Sequence, residues 1–166
     1  MFIGPLGYEF YLMRFADIYF LIGKLEITLR RKVPVALRSY AVQNNHSQWL
    51  DVVPRTSKNQ RAIVIALESN SQKVVGLEDY LPLSFWSHLF HRDFYSVLWI
   101  SCLHKVFVGL SDSKSWGTFM KVSKNMRRAT RIRNRVAHFN FINAGDYEEE
   151  MATLVWLING MGESSG

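Results

Sequence analysis

The chain has a single cysteine, Cys102, in 166 residues. That excludes an internal disulfide and any zinc site built from several cysteines, and it makes a reducing cytoplasm the expected setting. Familiar chemical motifs are also missing. There is no glycine-rich phosphate loop, no HExxH, no GxSxG and no internal repeat, so none of the chemistries tied to those patterns has an anchor here. Nor is there a long unbroken hydrophobic run. Met1–Gly23 is apolar, but Glu9, Arg14 and Asp17 interrupt it, and it shows neither a basic leader nor a small-residue cleavage site. We read it as buried helix, with no membrane partner expected.

Charge is absent locally in two informative places. Residues 121–135 hold seven basic residues and no acid, and residues 146–166 hold five acids and no base. Overall the net charge is +6, and residues 1–145 alone carry +11. A basic body of this kind attracts polyanions through counterion release, although a soluble basic surface with no partner has the same composition. Hydrophobic residues make up 48% and aromatics 14%, which argues for a folded, aromatic-rich interior. The length suits one domain over 1–166, with a core spanning roughly 8–159 and a frayed tail at 160–166.

Periodicity predicts helices throughout and strands nowhere. A first helix is expected from about Tyr8 to Lys32, with Leu12, Phe15, Tyr19, Ile22, Leu25 and Leu29 forming its apolar stripe. Pro34 then either kinks it or opens a second helix. Ser57, with Gln60 three residues on, can cap a helix through Ile63, Leu67 and Ser69. Leu77–Leu89 reads as helix, and Phe94–Phe107 as the central helix of a bundle because it is apolar on most faces. Gly109–Ser115 is a loop whose last serine can cap a basic helix starting near Trp116. That helix is expected to run on to Gly145 as its C-cap, after which Asp146 N-caps a last helix buried along Met151, Leu154, Val155 and Ile158.

Chemistry concentrates at Arg133-Asn134-Arg135-Val136-Ala137-His138. Arginine offers a permanently charged fork of donors suited to phosphate oxygens. Histidine can take and return protons near neutral pH. Asparagine orients a neighbour without adding charge. On a helix, Asn134 lies roughly 100° and His138 roughly 140° around from Arg133, near enough to look into one cleft. A phosphate binder beside a proton shuttle points to RNA cleavage by its own 2′-hydroxyl, a reaction that needs no metal and no other cofactor. It does need both an acid and a base, so a symmetric dimer that brings two histidines together is implied. Lys124, Arg127, Arg128, Arg131 and Arg135 are the expected RNA contacts along the same helix. Glu26 and Arg30, an i,i+4 pair, are weaker supporting candidates, and an ordinary surface ion pair explains them as well. His88 and His91, three apart, have neither a third ligand nor a zinc spacing. The aromatic series Phe85, Trp86, Phe90, Phe94, Tyr95 and Trp99 is expected in the core or a dimer interface, not as a base-stacking surface.

The Arg133–His138 segment resembles the Arg-(four to six residues)-His motif of HEPN domains, with the polar residue that often follows the arginine. Leu25-Glu26-Ile27-Thr28-Leu29-Arg30 is similar to an early Leu-Glu-x-x-Leu-Arg signature of the Abi-like (abortive infection) branch. Leu83-Ser84-Phe85-Trp86-Ser87-His88-Leu89 is similar to its middle Leu-x-Phe-Trp-x-x-Leu segment. The similarity spans roughly residues 10–142. It departs at Phe139, where that branch often has a second histidine. The resemblance implies an all-α, HEPN-like helical bundle that dimerises and cuts RNA without metal in phage defence or as a toxin, with a possible antitoxin or defence-system partner. Carried over by position, Arg133 would hold the scissile phosphate, His138 would handle the proton and Asn134 would support the geometry. A non-catalytic RNA-binding or protein-interaction module of the same family is the alternative. A DNA-binding helix-turn-helix is disfavoured, because no short turn leads into the basic helix.

Overall fold

The structure, a computed structural model, describes residues 5–138 and 144–164. Among them are five α-helices and no strand: α1 (Pro5–Gln43), α2 (Ser57–Ser69), α3 (Leu83–His88), α4 (Trp116–Ala137) and α5 (Ala144–Gly160). Short 3-10 turns join α1 to α2 and α2 to α3, and two more with one π turn fill the connection from α3 to α4. The all-α expectation holds. Buried residues from all five helices form one hydrophobic cluster, and α1 packs against α3, α4 and α5. No helix among the described residues is long and apolar enough to cross a membrane.

α1 is longer than its sequence pattern suggests. It continues through Pro34 and stays helical for 39 residues, or about 58 Å at 1.5 Å per residue. A proline inside a helix removes one backbone hydrogen bond and crowds the preceding turn. Here Leu29, Val33 and Leu37 are fully buried on either side of it, so tertiary packing holds the helix across the defect. Its N-terminal half is not buried all round, contrary to the reading of Met1–Gly23 as buried helix. Ile18, Leu21 and Leu25 face the core, whereas Tyr8, Phe10, Met13 and Phe20 are exposed. Leu12 and Tyr19, expected on the buried stripe, are exposed too. Residues 1–4 of that reading lie outside the described residues.

The caps follow local chemistry. Thr56, one residue before the expected Ser57, caps α2 by accepting the Asn59 N–H at 3.2 Å. Ser115 caps α4 as expected, its Oγ accepting the Thr118 N–H at 3.1 Å. Replacing Ser115 with alanine should cost about 1 kcal/mol of stability, read as a lower urea midpoint with unchanged slope. An unchanged midpoint would mean that another group takes over the Thr118 N–H.

Two helix expectations fail. Leu77–Leu89 is broken, with a 3-10 turn at Leu77–Tyr80 and then α3 beginning at Leu83 behind Pro82. Phe94–Phe107, expected as one central helix, is a series of 3-10 and π turns. Its aromatic rings explain why. Trp99 and Phe107 have centroids 5.7 Å apart, and both rings also meet Phe90. In a continuous helix those eight positions would be separated by about 12 Å of rise. His104 fixes the break. Its Nδ1–H donates to the Trp99 carbonyl at 2.8 Å, the acceptor that a continuing helix would offer to the Leu103 N–H. The buried Cys102 thiol in this region is pushed up to about 12 by its burial, with Lys105 opposing, so it stays protonated and unreactive.

The end of the chain is anchored, not frayed, as far as Ser164. Met161 is fully buried, Lys32 donates to its carbonyl, and Glu163 pairs with both Arg31 and Lys32. Hydrogen bonds from Lys32 and Arg31 hold the Glu163 carboxyl below the usual carboxylate range. Whatever stability this clamp adds is present above that range and is lost as the pH falls through the lowered pKa. Residues 165–166 of the expected tail lie outside the described residues.

Candidate functional site

α4 is an amphipathic helix whose buried side is Phe119, Val122, Met126, Ala129, Ile132 and Val136. Spacings of three and four residues turn these toward the core. The same arithmetic places six of its seven cations in two rows. Lys121, Arg128 and Arg135, seven apart, meet α5. The Lys121 ammonium sits 4.7 Å from the Trp156 ring centre, Arg128 pairs with Glu149 at 2.6 Å, and Arg135 pairs with the buried Glu150. Lys124, Arg127 and Arg131 form the second row, and among the described residues they have no carboxylate partner. Asn134 and His138 extend this second row at the same three–four spacing.

Of the five expected RNA-contacting residues, then, three are available and two are engaged. Arg135 is the clearer correction. Its guanidinium is spent on a carboxylate that is only 7% exposed, and releasing it for phosphate would leave that carboxylate buried and unpaired. Arg128 is held by an exposed partner, an interaction that solvent screens. Two of the three acids at 148–150 thus serve α4. α5 begins at Ala144, so all three fall past its first turn, and two of them, Glu149 and Glu150, pair with two of the seven cations of α4. Gly145 lies inside α5 and is not the C-cap of α4, and Asp146 is in its first turn instead of capping it.

α4 itself ends at Ala137, with His138 as its C-cap residue at φ −98° and ψ 9°. The His138 backbone N–H is shared between the Asn134 and Arg135 carbonyls at 3.3 and 3.2 Å. Its imidazole is exposed and, among the described residues, has no hydrogen-bond partner. Asn134 is likewise exposed. Phe139, the point of departure from the HEPN pattern, lies outside the described residues.

Arg133 points elsewhere. With Val136 and Ala137 it lines an open cavity of about 660 Å³ against α1, whose wall includes Phe15, Tyr19 and Glu26. Neither Asn134 nor His138 lines this cavity. The predicted trio is therefore split within one chain, Arg133 facing α1 and the other two lying on the free cationic row. Glu26 does share a cavity with Arg133, as a supporting carboxylate should. Its oxygen is also 2.7 Å from Arg30, which is the ordinary i,i+4 pair. Arg30 in turn donates to the Leu81 carbonyl at 3.4 Å, so it belongs to the scaffold.

A second cavity, of about 580 Å³, lies on the other side of α4. Lys124, Arg127 and Arg131 face Lys58 of α2, Ser87 and His88 of α3, and His91 across it. Sequence reasoning singled out both the histidines and the arginines but had no means of joining them. The His88 and His91 rings are 5.6 Å apart, and no third His, Cys, Asp or Glu among the described residues joins them in a group able to hold a metal. The remaining aromatics behave as expected: Phe85, Trp86, Phe90 and Trp99 are buried. Comparison with protein-family models, with curated proteins and with solved structures returned no match for this chain.

Proposed function

We propose that this protein is a metal-independent endoribonuclease of the HEPN type, acting as a homodimer in the cytoplasm in phage defence or as a toxin. The observation that carries the reading is the last turn of α4. It presents Arg133, which has no carboxylate partner among the described residues, beside an open cavity, and an exposed histidine and asparagine at the end of a row of cations likewise without one. In the reaction, one imidazole takes the 2′-hydroxyl proton and the 2′-oxygen attacks the adjacent phosphorus. Arg133 stabilises the charge gathering on the non-bridging oxygens. The P–O5′ bond breaks as a second imidazole protonates the leaving oxygen, which leaves a 2′,3′-cyclic phosphate. Asn134 supports the geometry, and Lys124, Arg127 and Arg131 hold flanking phosphates.

One chain offers one histidine, aimed away from its own Arg133. A second copy supplies the other, and its Arg133 can approach across the two-fold axis. The exposed apolar side of α1 supports this arrangement. Tyr8, Leu12 and Tyr19 lie on the flank that borders the Arg133 cavity, and a face of that kind is costly to leave in water. A non-catalytic RNA-binding or protein-interaction module, with or without a defence partner, is the second reading. It rests on the free cationic row alone.

The test is incubation of the purified protein with labelled mixed RNA in excess EDTA, with the ends of any products analysed. Cleavage that yields cyclic phosphates is the expected result. Intact RNA that is nonetheless retained on a filter would overturn the nuclease reading in favour of the binding module.

A further inference from the structure

The cavity between α2, α3 and the middle of α4 joins Lys124, Arg127 and Arg131, the cations assigned above to flanking phosphates, to groups that the proposed cleavage does not use: Lys58, Ser87, His88, His91 and Thr130. Its wall carries four full positive charges, from Lys58, Lys124, Arg127 and Arg131, together with two histidines and the hydroxyls of Ser87 and Thr130. None of the four cations has a carboxylate partner among the described residues. No Asp or Glu lines the cavity; Asp93 lies 3.4 Å from His91 Nδ1 and 3.7 Å from Arg92. Three separate elements contribute, so this is more than one solvated helix face. The His88 ring is fixed by a 3.3 Å hydrogen bond with the Thr56 hydroxyl and by an edge contact with Phe94. Its pKa is lowered, first by burial and then by Lys58 and His91, with Asp93 opposing. Lys58 and His91 thus add to the burial that disfavours a proton on His88.

Crowding like charges in this way is unfavourable unless an anion offsets them. An internal phosphodiester carries a single negative charge, which is too little for four cations. A terminal phosphate or a polyphosphate carries two or more. We infer that this cavity is a binding site for a terminal phosphate or polyphosphate group, distinct from the Arg133 cavity. The same chemistry could arrive on the 5′ end of an RNA or on a free nucleotide.

Lys58 is the informative residue, because it sits on α2, is exposed, and plays no part in the proposed cleavage. Wild type and Lys58→Glu would be titrated with inorganic pyrophosphate, with a nucleoside triphosphate, and with one short oligoribonucleotide bearing either a 5′-phosphate or a 5′-hydroxyl. Pyrophosphate should bind the wild type and lose about tenfold or more in affinity with Lys58→Glu, as expected for a lost charge-assisted contact. Arg127→Glu, checked for folding by its thermal melt, should do the same. A preference for the 5′-phosphorylated oligonucleotide that disappears in Lys58→Glu would identify an RNA end as the source. Equal binding of both oligonucleotides, with tight triphosphate binding that Lys58→Glu weakens, would identify a free nucleotide. Pyrophosphate that fails to bind, or binds both proteins equally, would overturn the inference. Because binding is the readout, an absence of RNA cleavage would leave the inference standing.

Discussion

Replacing His138 with alanine is expected to slow RNA cleavage by about a hundredfold or more, the range for removing a positioned general acid or base. RNA affinity should change by less than about threefold, because an imidazole that only shuttles protons adds little ground-state binding. The placement of His138 makes the experiment clean. It is exposed at the C-terminal end of α4 and contributes nothing to the core, so truncation should leave the unfolding midpoint unchanged. Replacing Arg127 and Arg131 together should produce the opposite pattern. Affinity should fall and the slope of log affinity against log salt should shrink by about two, the sign of two lost phosphate contacts. Arg133→Lys keeps the charge but loses the planar fork, and should retain binding while cutting slowly. Wild-type cleavage by His138→Ala would point to a contaminating nuclease and remove His138 from the site. The two patterns therefore separate the enzyme from the binding module.

Much of the fold is legible where local chemistry decides it. Ser115 can be identified as a cap from its position before an amphipathic run, and its side chain does accept the expected N–H. Gly109–Ser115 reads as a loop and holds neither helix nor strand. The failures occur where distant residues decide. Nothing local in Phe94–Phe107 breaks a helix. The break comes from packing Trp99 and Phe107 together on Phe90, and from an imidazole that captures a backbone carbonyl. Pro34 does not open a second helix, because buried neighbours carry α1 through it.

The site divides in the same way. The residue types at 133, 134 and 138 can be read directly, and so can the excess of positive charge before them. Which cations are free cannot be read locally. Arg128 and Arg131 have the same composition around them, yet one meets Glu149 and the other lines a cavity with Lys58. Only the packing of α5 on one flank of α4 distinguishes the two, and that flank is selected by side chains some twenty residues away along the chain. The heptad spacing of Lys121, Arg128 and Arg135 against an acidic first half of α5 was the available signal. It becomes meaningful only once the two helices are known to pack together.

Glu150→Leu should destabilise the protein by about 2–4 kcal/mol, and Arg135→Met by a similar amount, since removing one partner of a buried ion pair leaves the other charge uncompensated. The lower part of that range is expected, because Arg135 retains 25% of its side-chain exposure while Glu150 retains 7%. Double replacement, Arg135→Met with Glu150→Leu, should recover most of the loss. Desolvating two charges roughly cancels their attraction, and the pair as it stands leaves Arg135 Nε and Glu150 Oε2 without partners. Urea unfolding of the four proteins forms a double-mutant cycle, with a coupling of about 1–3 kcal/mol expected. The cycle also bears on RNA recognition. If Arg135 is scaffold, the double variant should bind RNA as the wild type does, whereas Arg131→Ala should not. A single-variant loss below about 0.5 kcal/mol, with weakened RNA binding by Arg135→Met, would return Arg135 to the RNA-facing row, because the pair would then be no stronger than a screened surface contact.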